Sequence, residues 1–227
     1  MNSLFITGTD TDVGKTYVAA GLAVTLRKMG IDVGVMKPFA AGSAQKRGFK
    51  SEDVEILSNA AQVNDPEMLL NPQFFPIAAS PYTALKNLKI KPNVELIINR
   101  FKKLSKLHSM MLVEGMGGIM TPILQDYFVA NLIKDMKLPT LIVTRTKIGT
   151  INHTLMTCKI CEKYKIPIKG IIINNFDDGY SVKELKRDLK NLTNVKILGS
   201  IPFIDDMSDT SLYRVFKKNI NFRFLLR

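Results

Sequence analysis

Short unbroken apolar runs recur along this chain, and stretches that read as helices separate them. Leu4-Phe5-Ile6 is the first run and reads as a buried strand; residues 17–26 read as the helix after it. Gly30 closes that helix, and residues 31–36 read as a second strand. Ser51-Glu52-Asp53-Val54 opens another helix, with acidic residues in its first turn. The proline- and aromatic-rich residues 71–81 read as a loop with fixed turns rather than a strand. Val94, Ile97, Ile98, Phe101 and Leu104 recur at helical spacing and predict a helix over residues 93–107. Met110-Met111-Leu112-Val113 is again a continuous strand. A helix over 126–136, a strand over 139–143, a helix to about Tyr164 and a strand over 166–173 follow. A charged helix over 181–191 and a short strand over 195–202 complete the series. Strand and helix alternate throughout, and neither a repeat nor a linker interrupts them. The expectation is a single domain over residues 1–227 with an α/β fold, a mainly parallel sheet and helices on both faces.

The junction between the first strand and first helix carries chemistry. Gly8-Thr9-Asp10-Thr11-Asp12-Val13-Gly14-Lys15-Thr16 is a glycine-bearing loop ending in Gly-Lys-Thr. Its setting is that of a Walker A phosphate-binding loop, although Thr9 holds the first glycine's slot and Gly8 sits one residue early. Backbone N–H groups and the helix dipole would face a polyphosphate there. Lys15 would supply charge to the outer phosphates, and Thr16 a hydroxyl to magnesium. The fold expectation thereby becomes P-loop NTPase-like.

Other strand ends point the same way. In a parallel sheet, C-terminal strand ends face the ligand crevice. Lys37 stands at such an end and reads either as a phosphate-directed lysine or as a solvated one. Asp53 reads as a metal ligand or as a dipole-complementing residue. Glu114, followed by Gly115, Met116, Gly117 and Gly118, fits a Walker B-like role, holding magnesium while the glycines admit phosphates. Gly149-Thr150 starts a helix whose N–H donors suit a carboxylate. His153 and His108 read as structural. Asn174 carries a donor and an acceptor on one amide, matching an adenine edge.

Composition narrows the classes. The 227 residues are enough for a sizeable core, and neither a bilayer-spanning apolar run nor a signal-like N-terminus is present, so a cytoplasmic location is expected. Cys158 and Cys161 are the only cysteines and read as structural. The net charge of +12 suits anionic small molecules; the lysines form no dense tract, so neither nucleic acid nor membrane is expected as a partner. Residues 45–50 read as a mobile loop.

Taken together, these stretches resemble the dethiobiotin synthetase family of the biotin pathway. The matching residues are Gly8 to Thr16, Lys37-Pro38 with Gly42-Ser43, Ser51 to Asp53, Val113 to Gly118, Gly149 to His153, Asn174, and Gly199 to Pro202. The resemblance implies ATP-dependent ring closure of 7,8-diaminononanoate with carbon dioxide or bicarbonate, through a carbamate and a carbamic–phosphoric anhydride. It implies Lys15 and Lys37 at the transferring phosphoryl group, and Mg2+ held by Thr16, Asp53 and Glu114. ATP would touch Asp12, Val13, Gly14, Lys15, Thr16, Tyr17, Asp53, Glu114, Gly115, Met116, Gly117, Asn174 and Pro202. The diamine would meet Ala41, Ser43, Gly149, Thr150, Ile151 and Asn152, at the interface of a homodimer. Ala41 stands where the family usually has a hydroxyl residue, and Asn175 where an acid is common.

Two other readings stay open. A ParA/MinD-like ATPase switch would bind DNA or membrane, but typically carries a lysine early in its loop, where this chain has Thr-Asp-Thr-Asp-Val; its basic, apolar residues 216–227 keep that reading alive. A cobyric-acid-type amidase would need a glutaminase that this chain has no room for.

Overall fold

The structure, a computed structural model, describes residues 3–90, 92–176 and 178–226. The chain runs through β1 (Leu4–Gly8), α1 (Lys15–Lys28), β2 (Val33–Met36) and β3 (Phe39–Ala41). Then come α2 (Glu52–Ala61), α3 (Glu67–Leu70), β4 (Gln73–Phe75), α4 (Pro81–Leu88) and α5 (Val94–Leu107). β5 (Met110–Gly118) leads into the hairpin β6 (Pro122–Leu124) and β7 (Tyr127–Phe128), then α6 (Val129–Met136). β8 (Thr140–Arg145), α7 (Thr150–Tyr164), β9 (Ile168–Asn175) and α8 (Val182–Leu192) follow. β10 (Ile197–Pro202), α9 (Asp209–Asn219) and α10 (Phe222–Leu225) end the series.

Six strands form one parallel sheet in the order β10-β9-β8-β1-β5-β2. A parallel sheet buries both faces, so its strands read as near-continuous apolar runs rather than alternating ones; all of Leu4 to Gly8 and the first six residues of β5 are buried accordingly, the polar Thr7 and Glu114 among them. α1, α2 and α9 pack together as one layer, and α5, α6, α7 and α8 pack in succession as another. The helix-on-sheet, P-loop ATPase-like architecture is the expected one. From β1 the chain crosses to β2 on one side, and from β5 it crosses to β8 on the other. β1 therefore lies at the reversal of strand order, where a crevice opens beyond the strand ends.

Several local expectations are corrected. Residues 71–81 are not all loop: β4 pairs in parallel with β3, Phe39 opposite Gln73 and Ala41 opposite Phe75. Phe39 and Phe75 stack with ring centroids 6.2 Å apart. The prolines flank this three-residue strand rather than interrupt it. Pro81 is the first residue of α4, where its missing N–H is harmless, and Ser80 caps that helix by accepting from the Thr83 N–H. The helix expected from residue 126 begins at Val129, because Tyr127 and Phe128 are extended against β6 and Asn131 Oδ1 accepts from the Phe128 N–H at 2.9 Å. Residues 45–50 are loop, as expected, and are drawn together by the Gln45 N–H on the Lys50 carbonyl and by the Gln45 side chain donating to Phe49 and Glu55.

The basic, apolar tail is part of the core. Phe216, Phe222 and Leu225 are buried, and Phe216 packs against Gly21 of α1; Arg227 lies outside the described residues. Among the described residues, no helix is long and apolar enough to cross a membrane. Cys158 and Cys161 are buried, unbonded thiols. His108 caps α5 between Asp32 and Asp65, at 2.8 and 2.9 Å.

Candidate active site

The loop after β1 folds back over its own strand. An added Cβ at Gly8 would sit 2.7 Å from the Asp10 carbonyl oxygen and 3.0 Å from Lys15 Nζ, so glycine permits this approach. Gly14 caps α1 at φ 83 with no side-chain cap, leaving the helix N-terminus to face the crevice. Lys15 is buried, and its Nζ donates to the Asp10 carbonyl at 3.0 Å. Two side chains from neighbouring strand ends grip the outer edge of the loop. Arg145 Nη1 donates to the Asp12 carbonyl at 3.2 Å, and Asn174 Nδ2 to the Val13 carbonyl at 3.1 Å.

Sheet register assembles the rest. Ile6 of β1 lies opposite Glu114 of β5, and Met36 of β2 opposite Val113. Lys37 follows Met36 and therefore emerges beside Glu114. Lys37 Nζ pairs with Glu114 and, at 2.8 Å, with Asp53 from the first turn of α2. Thr16 Oγ1 lies 2.8 Å from Glu114 and 3.1 Å from Asp53. A hydroxyl has one proton, so Thr16 serves one carboxylate at a time. These residues line a cleft of 280 Å³ with Lys15, Ala41, Met116 and Gly117. Gly115 stands behind it, because an added Cβ would meet the Phe5 ring at 2.7 Å.

The charges of the cleft balance internally. Burial pulls the Lys15 ammonium down to about 8, and Lys37 adds to that pull. Burial also depresses Lys37, but Glu114 and Asp53 outweigh it and hold its ammonium protonated. Burial pushes Glu114 up against the pull of Lys37. Burial raises Asp53 too, yet Lys37 and the Thr16 hydroxyl keep it below the usual carboxylate range.

The donor set fits a hard divalent cation. Its donors are all oxygens: the Thr16 hydroxyl and two carboxylates. Glu114 Oε2 is buried with no hydrogen-bond partner. Among the described residues no group of three or more His, Cys, Asp or Glu gathers as a metal site. Mg2+ suits such a partial set, because it usually keeps waters and takes substrate phosphates as ligands.

A second cleft, of 460 Å³, opens on the other side of the loop. Asp12, Gly14, Thr16, Tyr17 and Asn174 line it with Phe176, Phe203, Ile204 and Met207. Asn174 is buried at 3% exposure, and its Oδ1 has no partner. Pro202 is exposed beside this cleft, and its carbonyl accepts from the Tyr17 hydroxyl at 3.3 Å.

A profile of the AAA domain family matches residues 2–211. The ATP-dependent dethiobiotin synthetase BioD of Nitrosopumilus maritimus is 73% identical over all of this chain and all of its own length. The chain belongs to the dethiobiotin synthetase family. The family member of Bacillus licheniformis is 35% identical, covering 100% of this chain and 96% of its own. The cell division ATPase MinD of Pyrococcus furiosus superposes with a TM-score of 0.56 over 96% of this chain and 98% of its own; at 16% identity that likeness shows the fold alone.

The remaining positions suggested by likeness to dethiobiotin synthetases are less tightly grouped. Gly149 caps α7 at φ 93 with no side-chain cap. The buried Thr150 hydroxyl lies 2.6 Å from Thr144 Oγ1, so it serves the interior. Thr150 and His153 line a 240 Å³ pocket with Thr9, Asp10 and Arg145, next to the loop. Ile151 is half-buried, and Asn152 and Ser43 are exposed. Sequence reasoning missed Arg145 and Asn71, whose side chains hold backbone carbonyls far away in sequence. It also missed the apolar wall of Phe176, Phe203 and Met207. A strand-end arginine two residues past Val143 was the one available signal.

Proposed function

We propose that this chain is a cytoplasmic, homodimeric dethiobiotin synthetase, acting as a single domain, that closes the ureido ring on 7,8-diaminononanoate. One amine takes up carbon dioxide, supplied as such or from bicarbonate, to give a carbamate. A carbamate oxygen attacks the γ-phosphorus of ATP, and ADP leaves. The second amine attacks the carbonyl carbon of the resulting anhydride, phosphate departs, and the ring closes.

The observation that carries this reading is the convergence of two ammonium groups, two carboxylates and a hydroxyl beside a helix N-terminus. Phosphoryl transfer asks for positioning and charge neutralisation rather than covalent help. Residues 12–17 would hold the triphosphate. Lys15 and Lys37 would balance charge on the transferring group. Thr16, Asp53 and Glu114 would hold Mg2+, which when bound neutralises phosphate oxygens. Asn174 Oδ1 would accept from the adenine amino group, and the Pro202 segment would flank the base. The N-terminus of α7, from Gly149 to Asn152, would meet the diamine's carboxylate across a dimer interface, and Ala41 and Ser43 would border its amine end.

The test supplies diaminononanoate, bicarbonate and MgATP and follows dethiobiotin by mass. Dethiobiotin formed together with ADP and phosphate is the expected result. ATP hydrolysis that ignores the diamine and responds to DNA would overturn the reading in favour of a switch.

A further inference from the structure

The backbone carbonyl of the cleft lysine accepts from a side chain that lies outside the cleft. Met36 is the last residue of β2 to pair with β5. Beyond it, Lys37 leaves the central sheet, and its backbone is taken up by the last residue of α3 and the residue after it. The Lys37 N–H donates to the Leu70 carbonyl at 2.7 Å. In a parallel ladder that bond calls for a second one, from the N–H of residue 72 to the Lys37 carbonyl. Residue 72 is proline and has no N–H to give. The Asn71 side chain supplies the missing rung: its Nδ2 donates to the Lys37 carbonyl at 2.6 Å. Regular backbone bonding resumes with the Gln73 N–H on the Pro38 carbonyl at 3.2 Å.

We propose that Asn71 is a positioning residue for Lys37. Asn71 is 6% exposed, and its amide is oriented by chemistry, because both groups within reach of Nδ2 are carbonyls, those of Lys37 and Gln73. It does not line the cleft. Its influence passes through the peptide group from which the Lys37 side chain departs towards Asp53 and Glu114. A displacement of about 1 Å in a positioned group costs up to about a hundredfold in rate. Loss of the amide donor therefore falls on turnover and leaves the triphosphate loop, which Asn71 does not touch, able to bind nucleotide.

This inference rests on the reading of Lys37 as the group acting on the transferring phosphoryl, and the experiment separates the two. Asn71→Asp keeps the shape and removes the donor; Asn71→Ala serves the same purpose should the buried carboxylate prevent folding. Each is measured in the wild-type and in the Lys37→Ala background, with kcat for dethiobiotin formation and affinity for MgATP as readouts. The expected result is a ten- to hundredfold fall in kcat, about the range for a misplaced group, with MgATP affinity unchanged and no further fall in the Lys37→Ala background. Wild-type kcat in both Asn71 variants, or an equal fold-loss with and without Lys37, overturns the role of Asn71. Wild-type kcat in Lys37→Ala overturns the reading of Lys37 itself.

Discussion

Asn174 faces two ways, and two substitutions separate its roles. Its Nδ2 donates to the Val13 carbonyl in the phosphate-binding loop, while its Oδ1 is buried and open to a donor such as the adenine amino group. Asn174→Asp retains an acceptor but cannot donate to Val13, a residue only 1% exposed. Stranding that buried carbonyl costs about 1–3 kcal/mol; the free loop relieves that cost by relaxing, and nucleotide binding must restore the loop, so Kd rises by up to about 150-fold. The new negative charge beside a polyanion site moves the loss towards the upper end. ATP and GTP should weaken together, since an acidic side chain still accepts from adenine N6 and still repels guanine O6. Asn174→Ala removes both functions, so it should weaken ATP and also narrow the ATP-to-GTP ratio. Calorimetric titration with a non-hydrolysable triphosphate of each base reads both effects. Unchanged ATP affinity in Asn174→Asp would refute the loop-holding argument. An unchanged base ratio in Asn174→Ala would refute the adenine contact.

Three further outcomes are expected. Glu114→Gln should raise the Mg2+ concentration needed for half-maximal rate by about tenfold or more, since ligand charge sets affinity for hard cations; a wild-type magnesium titration would count against Glu114 as a ligand. Gly21→Ala should lower the melting temperature, because its Cβ would lie 2.1 Å from ring carbons of the buried Phe216. Overpacking of about 1–3 kcal/mol outweighs about 1 kcal/mol of helix propensity, and an unchanged or higher melting temperature would contradict this. His108, with its pKa raised by the carboxylates of Asp32 and Asp65 against the opposing effect of burial, favours the fold when protonated. That stability is fully present below the unfolded pKa of about 6.5 and is lost as pH rises through the higher folded value. His108→Gln should therefore cost about 1 kcal/mol in mildly acidic buffer, after allowing for solvent screening, and progressively less in alkaline buffer; a pH-independent difference from wild type would sink the assignment.

What could be read from the sequence is what local chemistry demands. The Gly8 to Thr16 loop needs a strand before it, a helix after it and Gly14 at positive φ, and all of these are contiguous in the chain. Glu114 announces itself as an acid at the end of an apolar run. The pairing of β3 with β4 was not legible, because each strand has only three residues and their partnership spans more than thirty positions. Pro72 and Pro76 further disguised Phe74-Phe75 as loop. The start of α4 was legible and misread: Ser80-Pro81 is a cap followed by a proline at the first helical position. Asn71 carries no sequence signal at all, since its meaning lies in a carbonyl 34 residues earlier and in the missing N–H of its own neighbour.

The cleft also explains why its charged residues must act as a set. Two carboxylates proposed to share a cation with a polyphosphate repel one another in the free protein. Lys37 offsets that repulsion by pairing with both, and it is the same residue proposed to act on the transferring phosphoryl. Removing one partner of a buried ion pair leaves an uncompensated charge worth about 3–5 kcal/mol. Substituting Lys37 therefore changes how readily Glu114 ionises as well as the charge offered to phosphate. Lys15 is the contrasting case: it leans on a backbone carbonyl, is desolvated to a pKa of about 8, and has no carboxylate of its own to leave when an anion arrives. Effects of Lys37, Asp53 and Glu114 on turnover should thus be strongly non-additive with one another. Those of Lys15 should combine with each of them more nearly additively.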